Sequence, residues 1–511
     1  MTENVFPFSS HQELISSQSI AGRPLKDLVQ EIQEIYLGDA RPWIIGFSGG
    51  KDSTTILALI YTALQNLPPG KAQKPIYVVS SDTLVETPVV VDLMNQVIKI
   101  INTQGEKEGL PISAHVVHPQ DDQTFWTNLL GRGYPAPTQS FRWCTERMKI
   151  NPVTSFITEK VADFGEVIVV LGSRSQESAS RSKVIAKHRI DGSSLSRHST
   201  LPNAYTYMPI QDWSADEVWM YLLSAPSPWG GDNMALFKLY KEGSEDGECP
   251  LVVDTSTNSC GNSRFGCWTC TVVTKDKAIH GLIESGMDWM RPLLEFRNEL
   301  HKSTIIENKT KYRNYKRRTG KVSYARAKEI DDDTQIEVKH IPGPYWMDYR
   351  KKWVKDLLQI QKDMSDSGHD TTLIHDHELQ AIRQQWLRDP NEPDWPDSLP
   401  KIFSDVYPDR DFEWIENDAG AFTEHDAELL ESLGEKFDVP AQLIMKLLEI
   451  EISSGGLGQR RGVLGKLESM LKNDWETLEN IKERKSQAAP HEAWSEKLEE
   501  LQSQYEEAAT L

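Results

Sequence analysis

The feature that most restricts the fold of this chain is a glycine-containing loop between a short apolar run and a helical segment. Residues 43–47 have the length and composition of a buried strand, and a helical pattern runs from residue 54 to residue 64. Between them stands Ser48-Gly49-Gly50-Lys51-Asp52-Ser53. Glycines let the backbone approach an anion closely, and the first turn of a helix directs N–H groups and a favourable dipole toward it. The arrangement therefore predicts a phosphate-binding loop.

Further apolar runs follow at residues 76–80, 112–117 and 167–171, and they alternate with helical segments. This alternation predicts an α/β fold, in which helices flank both faces of a parallel twisted sheet. Phosphate sites in such sheets lie beyond the carboxyl ends of the strands. We expect Ser48 and Ser53 to donate hydroxyl hydrogen bonds there and Lys51 to supply charge. Asp52 is expected to cap the helix or to help place Mg²⁺.

Composition indicates a globular protein with an acidic surface. The chain has 511 residues, of which 26% are charged, and a formal net charge of −20. Such a chain repels nucleic acid at long range, so any contact with DNA or RNA requires a local basic patch or a partner. The amino-terminal residues lack a basic stretch followed by an apolar one, and no run of about 18 apolar residues occurs. We therefore expect a cytoplasmic protein without a membrane segment.

One basic patch is present between residues 309 and 328, where nine Lys or Arg residues occur without an acidic residue. Three tyrosines are interleaved with them. Basic side chains neutralise phosphates and aromatic rings stack on bases, so this segment is the expected nucleic-acid contact; a solvated helix face is the alternative. The expected contact residues are Lys309, Lys311, Arg313, Lys316, Arg317, Arg318 and Lys321.

The loop resembles the PP-loop of ATP pyrophosphatases, which cleave ATP between the α- and β-phosphates. Three further segments, at residues 81–88, 172–181 and 207–213, are similar in the same order to those of phosphoadenylylsulfate reductases. The resemblance implies the PP-loop (adenine nucleotide alpha hydrolase-like) fold with ATP and Mg²⁺ as cofactors. The implied nucleotide contacts are Ser48, Gly49, Gly50, Lys51, Asp52, Ser53, Asp82, Glu86, Gly172, Arg174, Glu177 and Arg181. For Arg174 and Arg181, a surface salt bridge to Glu177 or Asp212 is the alternative.

Five cysteines supply candidate metal ligands: Cys144, Cys249, Cys260, Cys267 and Cys270. The CxxC pair of Cys267 and Cys270 suits one metal centre, and four thiolates fit zinc or an iron–sulfur cluster equally well. Cys144 has basic neighbours in Arg142, Arg147 and Lys149, which are expected to lower its pKa. Reductases of the family place a [4Fe–4S] ligand at this point of the chain. Either Cys144 joins the cluster and Cys249 is free, or the four later cysteines bind it and Cys144 carries sulfur.

The cysteine-rich segment, residues 246–273, resembles that of the DndC family, the sulfurtransferases of bacterial DNA phosphorothioation. That resemblance covers residues 20 to 330 and implies adenylation of a DNA backbone phosphate, with Ser48, Lys51, Asp52 and Cys144 in catalytic roles. It also implies a cysteine desulfurase as sulfur donor and other Dnd-system proteins as partners. Three alternatives stay open: a reductase of adenylylated sulfate, a tRNA thiolation enzyme, and a non-enzymatic nucleic-acid adaptor with structural zinc.

We expect four successive regions along the chain. Residues 1–40 form a helical lead-in and residues 41–245 the PP-loop domain. Residues 246–330 carry the cysteine cluster and the basic segment. Residues 331–511 are predicted to be mainly helical, and no chemistry is assigned to them.

Overall fold

The structure is a computed structural model that describes residues 7–177, 190, 193–243, 266–324, 340–416, 424–437, 439–454, 462–475, 478–481 and 483. The chain divides into two compact units. The first unit contains Met1–Phe125, Pro137–His301 and Asp363–Leu373, and the second contains Trp126–Ala136, Lys302–Lys362 and Ile374–Leu511. The four-region division expected from the sequence stays a prediction.

The first unit contains a six-stranded sheet. A small antiparallel pair, β1 (Ser19–Ile20) and β2 (Arg23–Pro24), precedes it. The six strands are β3 (Trp43–Gly46), β4 (Ile76–Ser81), β5 (Ile112–Val117), β6 (Val167–Val170), β7 (Leu195–Arg197) and β8 (Ala204–Tyr207). Their order across the sheet is β5-β4-β3-β6-β8-β7, and only the β7–β8 pair is antiparallel. The predicted fold class, a parallel-dominated sheet flanked by helices, is confirmed.

The central strands are apolar throughout because both faces of the sheet are covered. Trp43 and Ile45 of β3 belong to a large apolar cluster on one face, whereas Ile44 packs into a second cluster with Val79 and Val169. Successive residues of a strand point to opposite faces, which explains this division. β3 lies in the interior of the sheet and pairs with β4 on one side and β6 on the other, so these two strands flank its carboxyl end.

The chain reverses its direction of travel across the sheet at β3. From β3 it proceeds through β4 to the β5 edge, and it then returns to pair β6 with the opposite side of β3. Open α/β sheets bind ligands at such a switch point, outside the carboxyl ends of the strands. The loops after Gly46 and after Val170 therefore border the expected binding crevice.

In the described ranges, the remaining regular structure is helical, apart from a two-residue antiparallel pair, β9 (Ser323–Tyr324) and β10 (His340–Ile341), in the second unit. In the described part of the chain, no helix combines the length and apolar character needed to cross a membrane. The helices span His11–Ser17, Leu25–Leu37, Lys51–Gln65, Pro88–Glu108, Asn151–Phe164, Ala215–Ser224, Asn233–Glu242, Lys277–Glu284, Arg291–Lys302, Lys309–Tyr312, Met347–Asp366, Asp376–Leu387, Ser398–Val406, Glu424–Phe437, Ala441–Ser454 and Val463–Leu471.

Candidate nucleotide and thiol site

The loop after β3 has the form expected of a phosphate cradle. Gly49 adopts a left-handed backbone with φ of 71°, and Gly50 is the N-cap of helix Lys51–Gln65. Among the residues described, no side chain caps this helix end. The Ser53 hydroxyl donates to the Gly50 carbonyl at 2.9 Å and lies 3.3 Å from the Ser48 hydroxyl. These hydrogen bonds hold the loop in one conformation. The first N–H groups of any helix lack intrahelical carbonyl partners, so here they can donate to a bound anion.

A single carboxylate joins two cations beside this loop. Oδ1 of Asp52 accepts from Nε of Arg174 at 2.6 Å, and its Oδ2 lies 3.3 Å from Nζ of Lys51. Lys51 and Arg174 are both buried, with exposed fractions of 8% and 6%. Arg174 also donates to the carbonyl of Trp213 at 3.4 Å. The charge needed to bind an anion is thus concentrated at the carboxyl ends of β3 and β6, where Asp52 balances part of it.

Gly172 permits the close approach of these two loops. A Cβ added at Gly172 would lie 3.0 Å from the carbonyl carbon of Asp52 and 3.2 Å from N of Ser53. Ordinary contact begins at 3.4 Å, so any larger residue at position 172 would crowd the first turn of the helix. Glu177 follows in a short 3₁₀ turn, Ser175–Glu177. Arg181 lies outside the described residues.

The segment after β4 leads from the sheet to the thiols. Asp82 accepts from N of Leu84 at 2.8 Å, and its Oδ2 lies 3.8 Å from Nδ1 of His118. Glu86 forms an isolated antiparallel bridge with Cys267, and N of Trp268 donates to the Val85 carbonyl at 3.0 Å. The segment that resembles the reductase nucleotide contacts is therefore the same segment that holds the CxxC turn.

The thiol of Cys267 lies among polar side chains. Its Sγ is 3.7 Å from Oε1 of Glu86 and 3.4 Å from the Thr83 hydroxyl. Lys149 forms an ion pair with the same Glu86 oxygen at 2.8 Å. Burial raises the pKa of the Cys267 thiol well above its usual value, and the negative charge of Glu86 raises it further.

Cys144 differs from the expectation that basic neighbours would lower its pKa. Burial raises the pKa of the Cys144 thiol, and the nearby Cys270 adds to the increase. Two of the basic neighbours are directed elsewhere, because Lys149 pairs with Glu86 and Arg147 donates to Gln123 at 3.1 Å. Arg142 is exposed. Lys149 still interacts electrostatically with Cys144, but burial outweighs its effect, so the expectation of a lowered pKa was wrong.

Arg297 holds the loop that follows the CxxC pair, and sequence reasoning missed it. Its fully buried guanidinium donates to the carbonyls of Cys270 and Thr274 at 2.8 Å each, and to that of Val273. Burial lowers the pKa of Arg297. No local pattern announces this role, because Arg297 lies 27 residues from Cys270 in an ordinary amphipathic helix.

The donor set suits a soft metal centre, although the thiols are not assembled around one point. Cys144 interacts electrostatically with both Cys267 and Cys270, so the three thiols share one region of the first unit. Yet within the described ranges no three His, Cys, Asp or Glu side chains are close enough to hold an ion together. Cys249 and Cys260 lie outside the described residues. The chemistry of three neighbouring thiols fits zinc or iron–sulfur ligation, and the choice between the two allocations stays open.

The basic segment of the second unit is largely used within that unit. Arg313 donates to the carbonyls of Gly343 and Pro342, and Arg318 donates to the Arg132 carbonyl at 2.6 Å. Lys316 is buried, with Nζ 5.2 Å from the ring centre of Trp475. Burial lowers the pKa of Arg313 to about 10. These three side chains support local structure, so the exposed members of the expected contact set are Lys311, Arg317 and Lys321, with Lys309 half-buried.

Two of the three tyrosines of this segment pack against aromatic rings of the same unit. Tyr312 is buried against Tyr349, with ring centres 4.7 Å apart, and it stacks near Trp353 at 6.1 Å. Tyr315 contacts Trp346 edge-on at 6.0 Å. Rings that are covered in this way do not offer a free face to a base. Tyr312, at least among the described residues of the segment, is therefore not available to stack on a base.

Comparison with known proteins places this geometry in a recognised class. Residues 42–273, somewhat less than half of the chain, match the phosphoadenosine phosphosulfate reductase domain. The loop, Asp82, Glu86, Arg174 and the CxxC turn all fall within the match. This part of the protein is a phosphoadenosine phosphosulfate reductase-like PP-loop domain.

Individual relatives cover parts of the chain. An uncharacterized protein of Methanocaldococcus jannaschii is 30% identical over 217 residues, which are 42% of this chain and 36% of that protein. The chain thus spans about a third of that relative. Phosphoadenylyl-sulfate reductase from Candida auris, in a phosphate complex, is 15% identical with a TM-score of 0.26, covering 40% of this chain and 87% of that one. The U34-tRNA thiolase NcsA from Methanococcus maripaludis, with its [4Fe-4S] cluster, is 12% identical with a TM-score of 0.25, covering 56% and 82%.

Proposed function

We propose that the chain is an ATP-dependent sulfurtransferase that adenylates a DNA backbone phosphate and replaces a non-bridging oxygen with sulfur. The main support for the proposal is that the chain segment after β4, next to the phosphate loop, also contacts the CxxC turn. Asp82 and Glu86 follow the strand beside β3, and the same segment is paired with the CxxC turn through Glu86 and Cys267. Nucleotide activation and sulfur chemistry are therefore proposed for one unit of the protein.

The first proposed step is adenylation. A non-bridging oxygen of the phosphodiester attacks the α-phosphorus of ATP, the α–β anhydride bond breaks, and pyrophosphate leaves. The negative charge of the leaving pyrophosphate would be stabilised by hydrogen bonds from Ser48, Ser53 and the N–H groups of the first helical turn. Lys51, Arg174 and a bound Mg²⁺ would supply positive charge. Asp52 holds the two cations in place before the nucleotide binds. The contribution of the protein is mostly positioning and charge neutralisation.

The second proposed step replaces AMP by sulfur. The terminal sulfur of a persulfide, loaded by a cysteine desulfurase, attacks the activated phosphorus and expels AMP. Because the cluster leaves one of the five cysteines for the persulfide, a thiol from solution, such as free cysteine, then attacks the inner sulfur of the sulfur–sulfur bond, which releases the phosphorothioate and leaves a mixed disulfide. Four of Cys144, Cys249, Cys260, Cys267 and Cys270 would hold a [4Fe–4S] cluster, which when bound supplies a sulfur-ligated iron centre. DNA would be engaged by Lys311, Arg317 and Lys321, together with other proteins of the Dnd system.

The proposal is tested by product analysis. Purified protein is incubated anaerobically with ATP, Mg²⁺, duplex DNA, cysteine and a cysteine desulfurase. We expect AMP and pyrophosphate in equal amounts, and nuclease-resistant phosphorothioate dinucleotides by mass spectrometry. Ser48→Ala should abolish pyrophosphate release without loss of the fold. Formation of ADP and phosphate by the wild-type protein would contradict the PP-loop chemistry.

A second candidate is a reductase of adenylylated sulfate, which the match of residues 42–273 favours. It requires no DNA and predicts thiol-dependent release of sulfite. The same preparation, supplied with adenylyl sulfate or its 3′-phosphorylated form, separates the two. Sulfite release without phosphorothioate formation would select the reductase.

A further inference from the structure

Tyr240 lies in the helix Asn233–Glu242, and the contacts of this helix restrict the position of its side chain. Asp232 caps this helix by accepting from N of Met234 and N of Ala235, both at 2.9 Å. The buried amide of Asn233 donates to the Leu222 carbonyl at 2.9 Å, which ties the helix to the preceding one. The ring of Tyr240 meets Trp219 edge-on, with centres 5.1 Å apart. The position of its hydroxyl is therefore set by the fold.

That hydroxyl lies against the phosphate loop. A Cβ added at Gly50 would be 3.1 Å from Oη of Tyr240 and 3.5 Å from Oγ of Ser48. Both hydroxyls thus face the same small space at the N-terminus of helix Lys51–Gln65. Nζ of Lys51 lies 5.4 Å from the centre of the Tyr240 ring, which is within the range of a cation–π contact. Two hydroxyl groups and one ammonium group therefore converge at the helix end where an anion is expected.

We propose that Tyr240 is a positioning residue of this loop, which aligns Lys51 through its ring and donates its hydroxyl to the pyrophosphate group of the bound nucleotide. A phenol is a good donor to an oxyanion, and hydrogen bonds to charged acceptors are the stronger ones. The ring meanwhile limits the directions open to the Lys51 side chain. The inference rests on the proposed function, since it requires pyrophosphate or ATP at the loop, and it assigns one more residue to that site.

The test compares two substitutions on the same helix. Tyr240→Phe keeps the ring, and with it the contacts to Lys51 and Trp219, but removes the hydroxyl. Phe237→Leu is the matched control, because Phe237 also packs edge-on against Trp219, at 5.3 Å. Titration calorimetry with inorganic pyrophosphate and Mg²⁺ gives the affinity of each protein, and urea unfolding gives its stability.

Tyr240→Phe should weaken pyrophosphate binding about tenfold, the range of one hydrogen bond to a charged group. Phe237→Leu should lower stability and leave the affinity unchanged. Tyr240→Leu, which also removes the ring from Lys51, should bind more weakly than Tyr240→Phe.

Three results have different meanings. If wild-type protein does not bind pyrophosphate, the proposed function fails, and the inference falls with it. If wild type binds and Tyr240→Phe binds equally well, only the inference is overturned. It is also overturned if Phe237→Leu loses as much affinity as Tyr240→Phe, since packing of the helix would then account for the effect.

Discussion

Replacing Gly172 by alanine tests whether the close approach of two loops builds the nucleotide site. The added methyl group would meet three backbone atoms of Asp52 and Ser53 at 3.0, 3.1 and 3.2 Å, which is 0.2–0.4 Å inside ordinary contact. Backbone atoms at the start of a buried helix cannot rotate away as a side chain can. Gly172 does not have a left-handed backbone, so the effect is purely steric.

Overpacking of this kind costs about 1–3 kcal/mol of folding free energy. Relief of the contact requires the helix start to shift by a few tenths of an ångström, and the donors of the loop shift with it. Binding that depends on several aligned donors is sensitive to such displacement, so we expect pyrophosphate affinity to fall about tenfold, equivalent to about 1.4 kcal/mol. Urea unfolding and pyrophosphate calorimetry measure the two effects separately.

Two other glycines provide graded controls. A Cβ at Gly46 would meet Cδ2 of Leu171 at 3.2 Å, and a leucine side chain can adjust, so Gly46→Ala should be milder. In helix Val463–Leu471, a Cβ at Gly465 would meet nothing within 4 Å, and Gly465→Ala should leave affinity unchanged. If Gly172→Ala behaves like Gly465→Ala in both assays, the two loops are not in contact as described and the reasoning is refuted.

Three further predictions concern other parts of the chain. Burial lowers the pKa of His11 to about 4, from an ordinary value near 6.5, so the unfolded chain takes up a proton before the folded protein does as pH falls. The free energy of unfolding should therefore decrease by about 3 kcal/mol between pH 6.5 and pH 4, as measured by urea titrations. His11→Gln should remove this dependence on pH. Cys267→Ser should lose iron and visible absorbance after anaerobic purification. Cys144→Ser and Cys249→Ser should then be compared: the variant that keeps its full iron content has lost a cysteine that does not bind the cluster. Replacing the exposed residues Lys311, Arg317 and Lys321 by alanine should reduce the salt dependence of duplex DNA affinity, and each lost phosphate contact should lower the slope of log affinity against log salt by about 0.9. As a control, Arg318→Ala should mainly destabilise the second unit. If the triple variant keeps the slope of the wild type, these three residues do not contact DNA.

Local patterns in the sequence were enough to predict four of the six strands of the sheet, and they also predicted the loop between β3 and the following helix. The apolar runs at residues 43–47, 76–80, 112–117 and 167–171 became β3, β4, β5 and β6 with small shifts at their ends. Buried strands and a glycine turn before a helix are specified over fewer than ten residues, because strand burial and helix capping act locally. The strands β7 and β8, which pair antiparallel with each other, had no comparable signal and were not predicted.

Tertiary structure decided which side chains meet. Cys267 contacts Glu86 across 181 residues, and Arg174 reaches Asp52 across 122, distances along the chain that no local spacing encodes. The same reason explains the two main differences from expectation. Basic neighbours of Cys144 turn to other partners, and Arg313, Lys316 and Arg318 turn inward to carbonyl groups and rings. The sequence shows which charged groups the chain carries, but the orientation of each side chain depends on long-range packing. A buried cation is stable only if it contacts acceptors, and these come from segments that are distant in the sequence.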